Sequence, residues 1–464
     1  MALKWLGYAL YTRFEKCGAS GDVQEAIALQ RQALELRPSS HPQHSETLRD
    51  LIRSLTSRFG RYGKLDDLDE AIRLCREGLV LHRRGHSERS RSLNNLANAV
   101  LTRFEQYGKD EDLEEAIVLQ REALELCPPG HPDRSMSLNN LANAVKTRFE
   151  QYGKDEDLKE AIVFQQEALE LRPPGHPDRS SSLYNLASAV LARFKQYGKH
   201  EDLEEAVVFQ REALELHPPG HPDRSSSLNN LANAVQTRFQ QYGKHEDLEE
   251  AVILQQEALE LRPPGHPLRS SSVNNLANAV QTRFEQYGKD EDLEEAVILQ
   301  QEALELRPPG HPLRSSSFNN LAVAVLTRFE QYGKDEDLEE AIVLQREALE
   351  LCPPGHPDRS MSLNNLANAV LIRFQQYGKD EDIEEAIVFQ REALELHPPG
   401  HPLRSSSLNN LASAVLARFE QYGKHEDLEE AVVFQREALE LLLRWQTDAY
   451  RMRRIFLLQE TACS

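Results

Sequence analysis

The chain has 464 residues, 40% hydrophobic and 28% charged, with 54 Lys and Arg against 75 Asp and Glu for a formal net charge of −21. No basic stripe is available to displace counterions from a phosphate backbone, so nucleic-acid binding is not expected, and an acidic surface favours basic partners. No apolar run reaches membrane-spanning length, and the N-terminal MALKWLGYALYTRF is too polar for a signal peptide.

Ten copies of one unit begin at Leu3, Leu48, Leu93, Leu138, Leu183, Leu228, Val273, Phe318, Leu363 and Leu408, always 45 residues apart. The first two have drifted, and the other eight are nearly identical. Such an array is one quasi-linear body in which each unit touches its neighbours. The five cysteines, Cys17, Cys75, Cys127, Cys352 and Cys463, form no disulfide framework and no CxxC pair. Reduced thiols in a cytoplasmic or nuclear compartment follow.

The third copy serves as the type unit. Leu93, Leu96, Ala97, Val100, Leu101 and Phe104 recur at helical spacing and predict a first helix with one apolar stripe. Gly108 stops it, because glycine tolerates the left-handed position after a helix. Asp112 and Glu115 read as a D-x-x-E capping box opening a second helix, which carries Leu113, Ala116, Ile117, Ala123 and Leu124. Pro128-Pro129-Gly130 ends that helix. His131-Pro132-Asp133 is expected to open the next first helix, with Pro132 at the first helical position. One helix pair buries too little apolar area to offset roughly 1.5 kcal/mol of ordering entropy per residue, so stacking supplies the rest.

These residues resemble a tetratricopeptide repeat. Leu93-x2-Leu96-Ala97-x2-Val100 fits the start of that pattern, Ala116 and Ala123 the small positions of the second helix, and Pro128 the terminal proline. The unit is 11 residues longer than the 34 of the common pattern, with seven of the extra residues between Leu96 and Ala116 and four between Pro128 and Leu141. The extra length should extend the first helix at both ends. The HPD and LNNLA wording looks like the kinesin-light-chain type, and RFEQYGKDEDLEEA with LELRPPGHPDRS resembles tandem arrays of fungal proteins. Some of those carry a CHAT-type peptidase domain after the array; no peptidase activity is expected to carry over to this sequence. The resemblance implies an all-α, right-handed superhelical α-solenoid of about ten helix-turn-helix repeats over residues 3–443. Residues 444–464 depart from the repeat and read as a basic, amphipathic helical extension, either a cap or a docking segment.

Positions 91, 95, 98 and 102 form a second stripe on the first helix. In tetratricopeptide arrays that face lines the concave groove, and relatives that bind extended peptides use asparagines at positions equivalent to 95 and 98. The first row is Asn95, Asn140, Asn185, Asn230, Asn275, Asn320, Asn365 and Asn410; the second is Asn98, Asn143, Asn233, Asn278 and Asn368, broken by Ser188, Val323 and Ser413. Each amide offers one acceptor and two donors, enough to hold a peptide backbone with little reading of its side chains. Asparagines that bridge neighbouring helices, or sit solvated, would give the same pattern, and recent duplication copies any residue. The drifted units hold Trp5 and Asp50 in the first asparagine slot.

An arginine precedes phenylalanine in every unit, as Arg103-Phe104 does. It complements a helix C-terminus, by roughly 0.3 to 1 kcal/mol, or pairs with the acidic second helix. Nine histidines, from His41 and His86 to His401, fall one per proline-rich turn without ligand spacing, so they read as turn residues rather than metal ligands. No phosphate loop, G-x-S-x-G or paired Cys and His stands out. The expectation is therefore a non-catalytic scaffold without cofactor or metal, holding an extended protein or peptide segment in its groove. The alternative is a structural array that self-associates through its ends or tail.

Overall fold

A computed structural model of the protein describes residues 2–441 apart from 400 and 402. Nineteen helices run from Ala2 to Tyr422, a further helical stretch covers 425–441, and the described residues contain no strand. The helices pair within units and the pairs stack in chain order, giving an α-solenoid. The expected extension at 444–464 lies outside the described residues.

In the type unit the first helix is Arg89–Tyr107 and the second is Asp110–Glu125. Leu93, Leu96, Ala97, Val100 and Phe104 are buried, as are Leu113, Ala116, Ile117 and Ala123. The core is continuous across units: Phe104, Leu113 and Ile117 pack with Leu141, Ala144 and Val145 of the next copy. Each large side chain so buried contributes about 2 kcal/mol. Half of that contact surface belongs to a neighbour, which is why the pair needs its stack.

Gly108 ends the first helix as expected, at φ 63° and ψ 27°, and its N–H donates to the Phe104 carbonyl. Two local expectations are corrected. Asp112 does not cap: the second helix starts at Asp110 after Lys109, without a side-chain cap bond. Asp112 is buried and receives Arg103 instead, in bonds of 2.8 and 2.7 Å from Nε and Nη2. A carboxylate gains more from a guanidinium fork than from one backbone N–H. The first helix of the next unit also begins later than expected, at Arg134. His131-Pro132-Asp133 is a turn, closed by His131 N–H to the Pro128 carbonyl and Arg134 N–H to the His131 carbonyl. His131 Nδ1 accepts the Asp133 N–H at 3.1 Å, and the same bond recurs in all nine turns.

The solenoid coils until its turns touch. The glycine that ends a first helix meets the glycine of a proline-rich turn five and a half units later: Gly18 meets Gly265, Gly63 meets Gly310 and Gly108 meets Gly355. The Gly265, Gly310 and Gly355 carbonyls sit where a Cβ on the opposing glycine would lie. Arg61 Nη1 adds a hydrogen bond to the Pro267 carbonyl. Only glycine fits here on two grounds, a left-handed φ of 61 to 70° and the closeness of the facing backbone.

Candidate functional site

The stripe at 91, 95, 98 and 102 lies along one recess. Arg91, Asn95, Asn98 and Thr102 line one concave recess of about 600 Å³ with Arg49, Arg53 and Thr56 of the preceding unit. Further along, Asn233, Asn275 and Asn278 share a recess of about 530 Å³ with Gln236, Gln281 and Glu285. Asn230 and Asn275 also line a third, of about 480 Å³, toward the first-helix N-termini.

The two asparagine rows differ in what they are free to do. In the second row every carbonyl is taken. Asn98, Asn143, Asn233, Asn278 and Asn368 accept from Gln120, Gln165, Gln255, Gln300 and Gln390 of their own units at 2.8 to 3.2 Å. These glutamines are buried, so each bond clasps the two helices of a pair. The Nδ2 of this row stays available to donate.

The first row is half-buried and mostly uncommitted. Asn95, Asn140, Asn230, Asn275, Asn365 and Asn410 make no side-chain hydrogen bond within the described protein, whereas Asn185 donates to Asn139 and Asn320 to Asn274, at 2.7 and 2.8 Å. The residue just before this row does the bridging between units. Asn94, Asn229 and Asn319 are buried and donate to Ser137, Ser272 and Ser362 at 3.0 to 3.1 Å. In the Asn94-Asn95 and Asn229-Asn230 pairs, the first asparagine bonds into the stack and the second lines a recess with its amide unbonded.

Sequence reasoning missed the charged residues of these recesses, Arg49 and Arg53 in the first and Lys195 and Glu285 in the second. Glu285 lines the second recess, and Glu105 holds the equivalent position of its own unit. Both residues are exposed, and partial desolvation, helped by Glu150 and Glu330 respectively, holds their carboxyls above the ordinary range. Like charges so placed gain from a cation laid between them. In the drifted second unit Asp50 is half-buried, and burial raises its carboxyl despite Lys4, Arg53 and Arg49. The variation at 105, with Lys195 and Gln240 in the same slot, hid this row in a sequence scan.

The variable slot after each second helix, shared in sequence by Cys127, Arg172, His217 and Cys352, is buried. It holds Arg37, His82, Cys127, Arg172, His217, Arg262, Arg307, Cys352 or His397, and each reaches the hydroxyl ten residues on. Burial lowers Arg262 and Arg307 to about 10. Beside this slot, His217, His221 and Asp223 bring three ligand-type atoms within 4.8 Å of one another. The two rings stack at 4.2 Å and 13°, so their lone pairs run side by side instead of converging on a cation. Both Nδ1 atoms are already hydrogen-bonded, to Ser227 and to the Asp223 N–H. No described helix is long and apolar enough to cross a membrane.

A family profile described as tetratricopeptide repeat matches residues 89–133, 134–178, 224–268 and 314–358. No curated protein matches the chain. Among solved structures, the human IFIT1 dimer with m7Gppp-AAAA is 15% identical, with 97% of this chain and 94% of that chain covered and a TM-score of 0.57. An IFIT1 monomeric mutant with Gppp-AAAA is 16% identical, covering 97% and 90%, also at 0.57. At that identity the likeness concerns the fold alone. A Podosopora anserina putative kinesin light chain with nearly identical TPR-like repeats is 24% identical over 47% of this chain and 98% of that chain, with a TM-score of 0.35. The four matched units are tetratricopeptide repeats, and their near-identical neighbours continue the same long unit as one TPR-like array.

Proposed function

We propose that the array is a protein-binding scaffold whose concave groove holds an extended, basic segment of a partner. Tetratricopeptide arrays generally mediate protein interaction and are generally non-catalytic. The observation that carries the finer reading is the division of labour between consecutive asparagines. Asn94, Asn229 and Asn319 are spent on the stack, whereas Asn95, Asn230 and Asn275 present unused amides to the groove. An amide pairs with a peptide N–H and carbonyl, and a row of amides spaced along the groove suits an extended backbone. The Glu105 and Glu285 carboxyls with their acidic neighbours select cationic side chains, and the net charge of −21 steers such a partner in.

IFIT1 in the solved structures holds capped or triphosphate RNA. Here the net charge of −21 works against a polyanion, which favours a protein. The test compares a Lys/Arg-rich peptide with a single-stranded RNA by fluorescence anisotropy, on the wild-type chain and on Asn230→Ala/Asn275→Ala. Peptide binding that weakens about tenfold in the variant, about 1.4 kcal/mol, fits the proposal. Binding of RNA alone, or peptide binding indifferent to both substitutions, contradicts it.

A further inference from the structure

The contact between superhelical turns is made by sequences that recur, unused, elsewhere on the same chain. In one such contact the tip Glu105-Gln106-Tyr107-Gly108-Lys109-Asp110 faces the turn Cys352-Pro353-Pro354-Gly355-His356-Pro357. The same tip sequence recurs at residues 285–290 and 330–335, and the same turn sequence at 127–132. Among the described residues, nothing lies within 4 Å of the Cβ positions of tip glycines Gly198, Gly243, Gly288, Gly333, Gly378 and Gly423, nor of turn glycines Gly85, Gly130, Gly175 and Gly220. One edge of the solenoid thus ends in bare tips, and the opposite edge in bare turns.

Both surfaces keep the conformation that the contact uses. Tip glycines in contact have φ between 61 and 70°, and the bare ones between 64 and 66°. Bare turn glycines have φ of 89 to 91°, against 89 to 94° for Gly265, Gly310 and Gly355. The offset of five and a half units is the same in all three contacts, so the rise per superhelical turn is regular. A second copy following the same path ten units on would set its Gly85, Gly130, Gly175 and Gly220 against Gly288, Gly333, Gly378 and Gly423.

We infer that a second copy of this chain docks on these edges, bare turns against bare tips, repeating between molecules the glycine contact made within one. The interface is heterologous, because tips meet turns, and the rotation does not close. Association therefore grows head to tail along the superhelical axis. Glycine is required at the tips, where a Cβ would stand in the facing carbonyl; at the turns a Cβ would lie 3.2 and 3.4 Å from the Tyr62 and Tyr107 carbonyls, so a longer side chain there is crowded. This inference is independent of what the groove holds.

Two variants of the full chain test it: Gly130→Asn/Gly175→Asn/Gly220→Asn on the turn edge and Gly288→Asn/Gly333→Asn/Gly378→Asn on the tip edge. Asparagine tolerates the left-handed conformation and, at these open positions, meets nothing within the molecule. Sedimentation equilibrium should show wild-type mass rising with concentration, and either variant associating about tenfold or more weakly. An equimolar mixture of the two variants should stop at dimers, because each retains one intact edge. A wild type that stays monomeric, variants that associate like wild type, or a mixture that grows beyond dimers would overturn the inference. Circular dichroism checks folding, and should the turn-edge variant unfold, the tip-edge variant decides alone, since asparagine is accepted after helix ends.

Discussion

The Arg103 guanidinium holds the Asp112 carboxylate through two parallel hydrogen bonds of 2.8 and 2.7 Å, joining the end of a first helix to the start of the second. The pair recurs in all ten units, from Arg13–Asp22 to Arg418–Asp427. In a central unit the pair is Arg238–Asp247, both largely shielded. Asp247→Ala removes the fork and leaves Arg238 only the Glu204 carboxylate of the preceding unit, 3.0 Å away, and should cost about 1–3 kcal/mol in urea unfolding. Arg238→Lys should recover only part of the loss, because lysine cannot form the fork. A loss under about 0.5 kcal/mol, typical of a free surface change, would show that the clasp does not matter.

The two asparagine rows should separate by experiment. Gln255→Met removes the donor to Asn233 and the clasp between helices, at a cost of about 0.5–1.5 kcal/mol. Asn230→Ala, with no partner in the described protein, should change stability by no more than about 0.5 kcal/mol. Thermal melts of the two variants decide it, and equal losses would erase the distinction.

Acid should loosen the array through its turns. Burial holds His311, His397 and His401 near 4, from an ordinary 6.5. Depressed in the folded chain, these groups contribute stability in full above pH 6.5. The unfolded chain takes up protons first as pH falls, so that contribution is lost progressively between about 6.5 and 4. His401→Gln should flatten the decline of Tm across this window, and an unchanged slope would exclude the turn as its source.

The variable buried slot should tolerate exchange among its own residues. Arg307 sits buried without a carboxylate partner, and Cys352 fills the equivalent place with its Sγ 3.7 Å from the Ser362 hydroxyl. Arg307→Cys removes a costly buried charge and should leave stability unchanged or raised by up to about 1 kcal/mol. The new thiol, like Cys75, whose thiol burial pushes up to about 12, should react with a thiol reagent only after unfolding.

Much of the scaffold was legible in the sequence because it rests on local signals. The stripe from Leu93 to Phe104, the stop at Gly108 and the 45-residue period are short-range facts. The arginine's pairing with the acidic second helix was foreseen as one of two readings. Its actual partner was not, because Asp112-x-x-Glu115 reads equally well as a cap, and only the packed geometry sends Asp112 to Arg103. Asn98 and Asn95 looked alike in sequence. They part because Gln120, 22 residues away, reaches one and not the other. The contact of Gly108 with Gly355 was illegible for a different reason: it depends on rotation accumulated over several units, which no local spacing encodes.

The groove reading is tested most directly by placing a photo-crosslinking residue at position 275 on the concave face or at position 253 on the convex face, where Ile253 is 62% exposed. Irradiation with a Lys/Arg-rich peptide should trap it at 275 and leave 253 unreacted. Trapping at 253 alone, or equally at both positions, would contradict a concave, asparagine-lined binding site.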